Sequence, residues 1–220
     1  MAFGNCQNAR AATLGLNPSR VDFVDKGGSL LKGQRRRLAT RESLGRSDLS
    51  RAPHETVLQV LDECNTYFER QPYRQWFDRL EPILAAFGAS YYDRSGCHLD
   101  LVQWATDPTW AKLKAAVRKR LLADDAPFLA RQLENERLRL MLVNGMGALR
   151  ELRRLMAGQL ELEEIDPITG YGYTLTRVFA GQAIKHVRVV AWSTNIQSSH
   201  GVSVELRREL TKRVAAFARV

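Results

Sequence analysis

Four polar segments stand at the ends of apolar runs, where buried strands deliver side chains to a common edge. Asn17-Pro18-Ser19 follows Ala11 to Leu16, and His98 and Asp100 lie inside Gly96 to Trp104. Asn144-Gly145 follows Leu138 to Val143, and the polar stretch Ser193 to His200 follows Val187 to Trp192. An amide such as that of Asn17 orients a water molecule but supplies no negative charge. Asp100 occupies an expensive place for a carboxylate unless it has a partner. It accepts hydrogen bonds and, when ionised, cannot donate, so it favours a partner that presents N–H groups, or it is held protonated in a dry pocket. His98, two positions earlier, shares its face. Each segment also has a plainer reading: a simple turn at Asn17-Pro18-Ser19, an aspartate tied to a loop, a structural histidine, and a polar loop capping the last helix.

The elements that would position these groups follow from periodicity and punctuation. The apolar runs read as strands that end in turns. Between the first two, Val57, Leu58, Val60, Leu61, Cys64, Tyr67 and Phe68 repeat on one helical face. Trp76, Phe77, Leu80, Ile83, Leu84 and Phe87 repeat on another, in a helix that Pro82 kinks and Gly88 ends. Thr106-Asp107-Pro108 caps a helix to about Leu122, and Pro127 opens a further short one. Leu149 to Met156 forms a helix, Leu160 to Ile165 and Tyr173 to Phe179 form a hairpin, and a final amphipathic helix spans Val202 to Phe217. Strands alternating with helices predict an α/β fold: a single three-layer α/β/α sandwich over 1–220 with a central, mostly parallel sheet. In such sheets ligands bind beyond the carboxyl ends of the strands, where the four polar segments fall.

Charge narrows the partners. The 220 residues carry 33 Lys and Arg against 24 Asp and Glu, a net charge of +9. That excess favours polyanions and speeds their encounter. Lys32, Arg35, Arg36, Arg37, Arg41, Arg46 and Arg51 face only Glu42 and Asp48 within their segment, which has few large apolar groups and reads as a basic surface loop or arm. Such a segment neutralises phosphates and makes binding steeply salt-dependent; its alternative is a solvated loop. Cys6, Cys64 and Cys97 are few, odd in number and far apart, which disfavours a zinc or iron–sulfur site and fits a reducing compartment. No apolar run approaches the roughly 20 residues of a membrane span, and the first ten residues lack a signal core. The expectation is a cytoplasmic monomer with no cofactor, no metal and no membrane partner.

The ordered set of segments resembles the uracil-DNA glycosylase superfamily. Gly15-Leu16-Asn17-Pro18-Ser19 is similar to the G-x-N-P form of its first motif, as found in the mismatch-specific branch. His98-Leu99-Asp100-Leu101 occupies the place of the base-reading strand, Asn144-Gly145 resembles the fourth-strand N-G-K segment, and Ser193 to Gly201 stands where the second motif falls. The resemblance spans nearly the whole chain and implies excision of a damaged or deaminated base from DNA by water attack on the N-glycosidic bond.

Carried over position by position, the resemblance assigns catalysis to Asn17, Ser193 and Asn195. It assigns base binding to Leu16, Phe23, His98, Asp100 and Asn144. It assigns DNA contacts to Ser19, Arg20, Lys32, Arg35, Arg36, Arg37, Gln197, Ser198 and His200, with Gln197 as the wedge that fills the vacated stack. Phe23 is the first choice to stack on a flipped base, with Tyr91, Tyr92 and Trp104 as alternatives. Three departures matter. Asparagine replaces the aspartate of the more active branches, and Ser193 stands where a histidine is common. An aspartate at position 100, where an asparagine reads uracil, departs from uracil specificity. The first two support a competing expectation, a nucleic-acid-binding module of the same fold that has lost the chemistry; a hydrolase of small nucleotides or nucleosides is a third.

Overall fold

A computed structural model describes residues 2–165, 167–170, 173–184, 186–197 and 201–217. The centre of the sheet is four parallel strands. β2 (Ala11–Gly15) lies between β3 (Gly96–Asp100) and β4 (Leu140–Asn144), and β9 (Val187–Trp192) pairs with β4. Antiparallel strands extend both edges: β1 (Ala2–Phe3) on β3, and β8 (Val178–Ile184) on β9 followed by β5 (Leu162–Glu164). The resulting order is β1-β3-β2-β4-β9-β8-β5. β6 (Ile168–Gly170) and β7 (Tyr173–Thr176) form a separate two-stranded hairpin.

The central strands are apolar almost throughout because both faces are covered. Alternate residues feed two cores. Ala12, Leu14, Cys97, Leu99, Met141, Val143, Val189 and Ala191 pack under α4 (Ala115–Gln132) and α5 (Met146–Leu155). Ala11, Leu140, Leu142, Val190 and Trp192 pack on the other side, under α2 (Arg74–Phe77), α3 (Glu81–Ala86) and α6 (Val204–Ala216). The architecture is therefore an α/β sandwich of three layers, and every polar strand-end side chain must choose a layer.

Several elements differ from their sequence signals. Pro82 sits in the first turn of α3 and kinks nothing, because the preceding helix already ends at Phe77. No helix starts at Pro108; a 3-10 turn at Trp110–Lys112 intervenes, and α4 then runs unbroken through Pro127. Pro127 and Ala123, whose carbonyl loses its helical donor, are both exposed, so water can serve that carbonyl. The expected hairpin partner Tyr173 to Phe179 divides at Arg177, whose backbone exchanges hydrogen bonds with Ser193. Its first half joins β6 and its second half enters the main sheet as β8.

Helix α1 (His54–Asn65) turns its apolar repeat outward: Val57, Leu58 and Leu61 are exposed. It buries Glu63 instead, which accepts from Arg36 at 2.7 Å, with Arg70 at 3.4 Å. The basic loop thus clamps the helix. Arg37 reaches further, donating to the carbonyls of Val21 and Gln71 and lying over the Tyr73 ring.

Candidate active site

The carboxyl ends of the parallel strands align. Gly15 is in register with Asp100, Leu14 with Val143, and Asn144 with Trp192. Asp100, Asn144 and Trp192 project toward the layer of α2, α3 and α6, in a row broken only by the missing side chain of Gly15. A Cβ at Gly15 would stand 2.8 Å from Asp100 Oδ1 and 3.0 Å from His98 Nε2, so the absence of a side chain there is what lets both groups lie over the strand.

The loops after β2 and β3 are laced together by backbone bonds, Leu101 N–H to Gly15 O and Val102 N–H to Leu16 O. Asn17 completes the lacing: its amide N–H group donates to the carbonyls of Pro18 and Trp104, each at 3.2 Å, and lies 3.4 Å from Thr106 Oγ1. With the amide nitrogen so occupied, Oδ1 keeps its lone pairs, and among the described residues no donor reaches it. This is the arrangement a water-orienting amide requires.

Behind the row lies a buried polar chain. Tyr91 Oη and Thr13 Oγ1 are 2.5 Å apart, and Thr13 Oγ1 is 2.7 Å from His98 Nδ1. Burial pushes the Tyr91 phenol well above its ordinary range, so it keeps its proton. Thr13 is its one partner among the described residues, so Tyr91 donates to Thr13. Thr13 Oγ1 in turn bonds His98 Nδ1, and a ring that accepts there carries its N–H on Nε2. The ring is held by Phe3 and Phe77, with centroids 5.8 and 5.2 Å away. Nε2 stands 3.5 Å from Asp100 Oδ1, too long for an aligned hydrogen bond, and both oxygens of Asp100 are buried without a hydrogen-bond partner among the described residues. Asp100 is 1% exposed, and an acceptor buried without a donor costs on the order of 1–3 kcal/mol.

A second buried acid, Asp22, belongs to the same electrostatic group. Tyr67 donates to its Oδ1 at 2.5 Å and itself accepts from the Tyr73 N–H. Burial raises the Asp22 carboxyl to about 6; the Tyr67 bond and Arg37 oppose the rise, Asp100 adds to it, and His98 opposes it. Nothing in the local sequence marked Asp22, Thr13 or Tyr67 as parts of a site, and Tyr91 stood only as an alternative stacking ring, not as a hydrogen-bonding one. The only available signal was that Thr13 and Asp22 flank Asn17.

Asn144 and the loop after β9 are committed to one another. Asn144 donates to Asn195 Oδ1 and Gln197 Oε1, both at 2.8 Å, and accepts from Trp192 Nε1 and Ile196 N. Gln197 is buried, and its amide also donates to Trp76 O. The Ser193 hydroxyl accepts from Arg177 N at 2.9 Å and lies 3.3 Å from Thr176 Oγ1. Asn195 is exposed. Gly145 is at φ +91°, and a Cβ there would meet Asn195 at 3.1 Å, so the turn and the loop require each other. Gln197 is therefore an internal brace in this structure, and Asn144 holds a loop with the same atoms that a base would need.

The remaining expected contacts scatter. Leu16 packs in the opposite layer, 3.0 Å from the position of a Cβ on Gly147. Phe23 is half-buried at the edge of the core, Tyr91 lies inside it, and Tyr92 is tied to Asp78 and covered by Arg74. Trp104 is 60% exposed beside Asn17. Ser19 caps a 3-10 turn, and Arg20 pairs loosely with the exposed Asp107. Lys32 and Arg35 are exposed, whereas Arg36 and Arg37 are spent on internal contacts. Ser198 and His200 lie outside the described residues.

These features define an α/β protein with a buried histidine–carboxylate pair at the carboxyl end of a central parallel strand. Comparison with protein-family models finds no match, and comparison with curated proteins finds none. Among the described residues no group of three His, Cys, Asp or Glu could hold a metal ion, and no helix is long and apolar enough to cross a membrane.

Proposed function

We propose that the chain is a monofunctional DNA glycosylase, hydrolysing the N-glycosidic bond of a damaged base. The observation that carries this reading is the pairing of Asn17, whose Oδ1 is open to a water, with an unpartnered buried carboxylate at the end of the adjoining strand. Asn17 would orient water toward the anomeric carbon, and His98 and Asp100 would hold the polar edge of the extruded base. As the glycosidic bond breaks, the base leaves with the bonding electrons, water oxygen bonds the sugar carbon, and the released proton passes to the base or to solvent. The net charge of +9 supports a polyanionic substrate. The test is a panel of oligonucleotides containing uracil, hypoxanthine, xanthine, mismatched thymine, 7-methylguanine or 8-oxoguanine, with strand scission at the resulting abasic site as the signal.

A second reading rests on a specific observation. Ser193, Asn144 and Gln197 spend their polar side-chain atoms inside the protein, which is how a nucleic-acid-binding module that keeps the fold without the chemistry would look. Salt-dependent duplex affinity with no abasic product from any lesion favours that module.

A further inference from the structure

Asp100 and His98, both buried, hold side by side a set of hydrogen-bonding groups that can be compared with the edge of a nucleobase. The Tyr91–Thr13–His98 chain occupies Nδ1, and with Nδ1 accepting from Thr13 the ring's donor is Nε2–H. Asp100 Oδ1 lies 3.5 Å from Nε2, and among the described residues neither carboxylate oxygen has a hydrogen-bond partner. The groups together are one donor and two acceptors. Uracil, thymine and hypoxanthine each offer a carbonyl and a single N–H along the corresponding edge; uracil and thymine then set a second carbonyl against a carboxylate oxygen, and hypoxanthine sets only a C–H there. Guanine offers the complement: the O6 acceptor, the N1–H donor and the N2 amino donor. Two parallel N–H bonds to one carboxylate form a strong, geometrically selective pairing, and Gly15 supplies the space in which that carboxylate and the imidazole lie side by side.

From this complementarity we infer that the site recognises a base with a guanine-type edge, His98 Nε2–H donating to its carbonyl and Asp100 accepting from its ring N–H and exocyclic amino group. The inference rests on the base-binding role given to these residues above and narrows its substrate class to guanine and its ring-damaged derivatives that retain this edge.

The experiment uses the full chain and two soluble probes that differ at one position, guanosine and inosine, titrated by isothermal calorimetry. Guanosine carries the amino group that Asp100 Oδ2 would accept; inosine has hydrogen there. Guanosine should bind at least tenfold more tightly, since an unmet hydrogen bond to a charged group accounts for about that factor. Asp100→Asn, checked by thermal melting for retained folding, should abolish the preference, because an amide offers only one acceptor. Equal affinity for the two nucleosides in the wild-type chain, or no measurable binding of guanosine, would overturn the inference without any variant. A guanosine preference unchanged in a folded Asp100→Asn would overturn the assignment to Asp100. Binding with the expected preference but no abasic product across the lesion panel would remove the glycosylase reading and leave the base-recognition inference standing.

Discussion

Asn17 and Asp22 lie close in sequence and make opposite demands on the protein. Among the described residues the Asn17 side chain makes hydrogen bonds through its amide nitrogen alone, so on the proposed glycosylase reading Asn17→Ala removes the oxygen that would orient water, together with the amide bonds to Pro18 and Trp104. Excision should fall by roughly two or more orders of magnitude with duplex affinity nearly unchanged, as read by single-turnover cleavage beside fluorescence anisotropy. Equal loss of both would assign Asn17 to binding. Asp22 is instead a destabilised charge. Its folded carboxyl titrates near 6, above the ordinary 3.8, so between about pH 4 and pH 6 the native state holds a proton that the unfolded chain has released. Stability therefore falls as pH rises through that window and levels off above it. With about 1.4 kcal/mol per unit, the loss is on the order of 2–3 kcal/mol. Urea denaturation at stepped pH should show this slope, and Asp22→Asn, which still accepts from Tyr67, should flatten it; an unchanged slope in the variant would assign the dependence to another group.

At the scale of elements, the turn after β4 and the loop after β9 behave as one unit. Asn144 satisfies Trp192 Nε1–H and Ile196 N–H, both buried. Asn144→Ala strands both donors and should cost about 3 kcal/mol in chemical denaturation, at roughly 1–3 kcal/mol for each unmet buried group. A loss below 1 kcal/mol would mean that the loop re-satisfies them unaided. The same elements show what a sequence reader can and cannot recover. β2, β4 and β9 were legible because strands covered on both faces are uninterrupted apolar runs, and α6 because one stripe faces a core. The outward apolar face of α1 was not legible: its helical periodicity is real, but its buried face carries Glu63, on which Arg36 closes from the basic loop and Arg70 from just beyond the helix. The division of Tyr173 to Phe179 escaped for a similar reason, since Ser193 rather than any local turn residue breaks it. Among the candidate site residues, Asn17, His98 and Asp100 were visible as polar groups at strand ends, whereas Tyr67 looks like any core aromatic until the fold brings it to Asp22, and Tyr91, expected as an alternative stacking ring, is brought by the fold to Thr13 instead.

For the whole molecule, the charge excess is informative only once the committed cations are set aside. Arg36 and Arg37 belong to the fold: the first neutralises a buried glutamate, the second ties the loop to Val21, Gln71 and Tyr73. Arg35, Arg46 and Arg51 are exposed, and their side chains have no partner among the described residues. If the basic loop grips a nucleic-acid backbone, these are the cations that displace counterions from it. Replacing all three by glutamine should leave the melting temperature within a degree or two and reduce the slope of log affinity against log salt by about 0.9 for each phosphate left without its cation. Arg36→Gln should do the reverse. It lowers stability by about 2–3 kcal/mol, because Glu63 loses its closest cation while remaining buried, and it changes the salt slope little. Both quantities come from duplex titrations at stepped potassium chloride alongside thermal melts. A triple variant whose salt slope matches that of the wild type would show that the loop's free charge faces solvent alone, and the polyanion surface would then have to be sought elsewhere on the molecule.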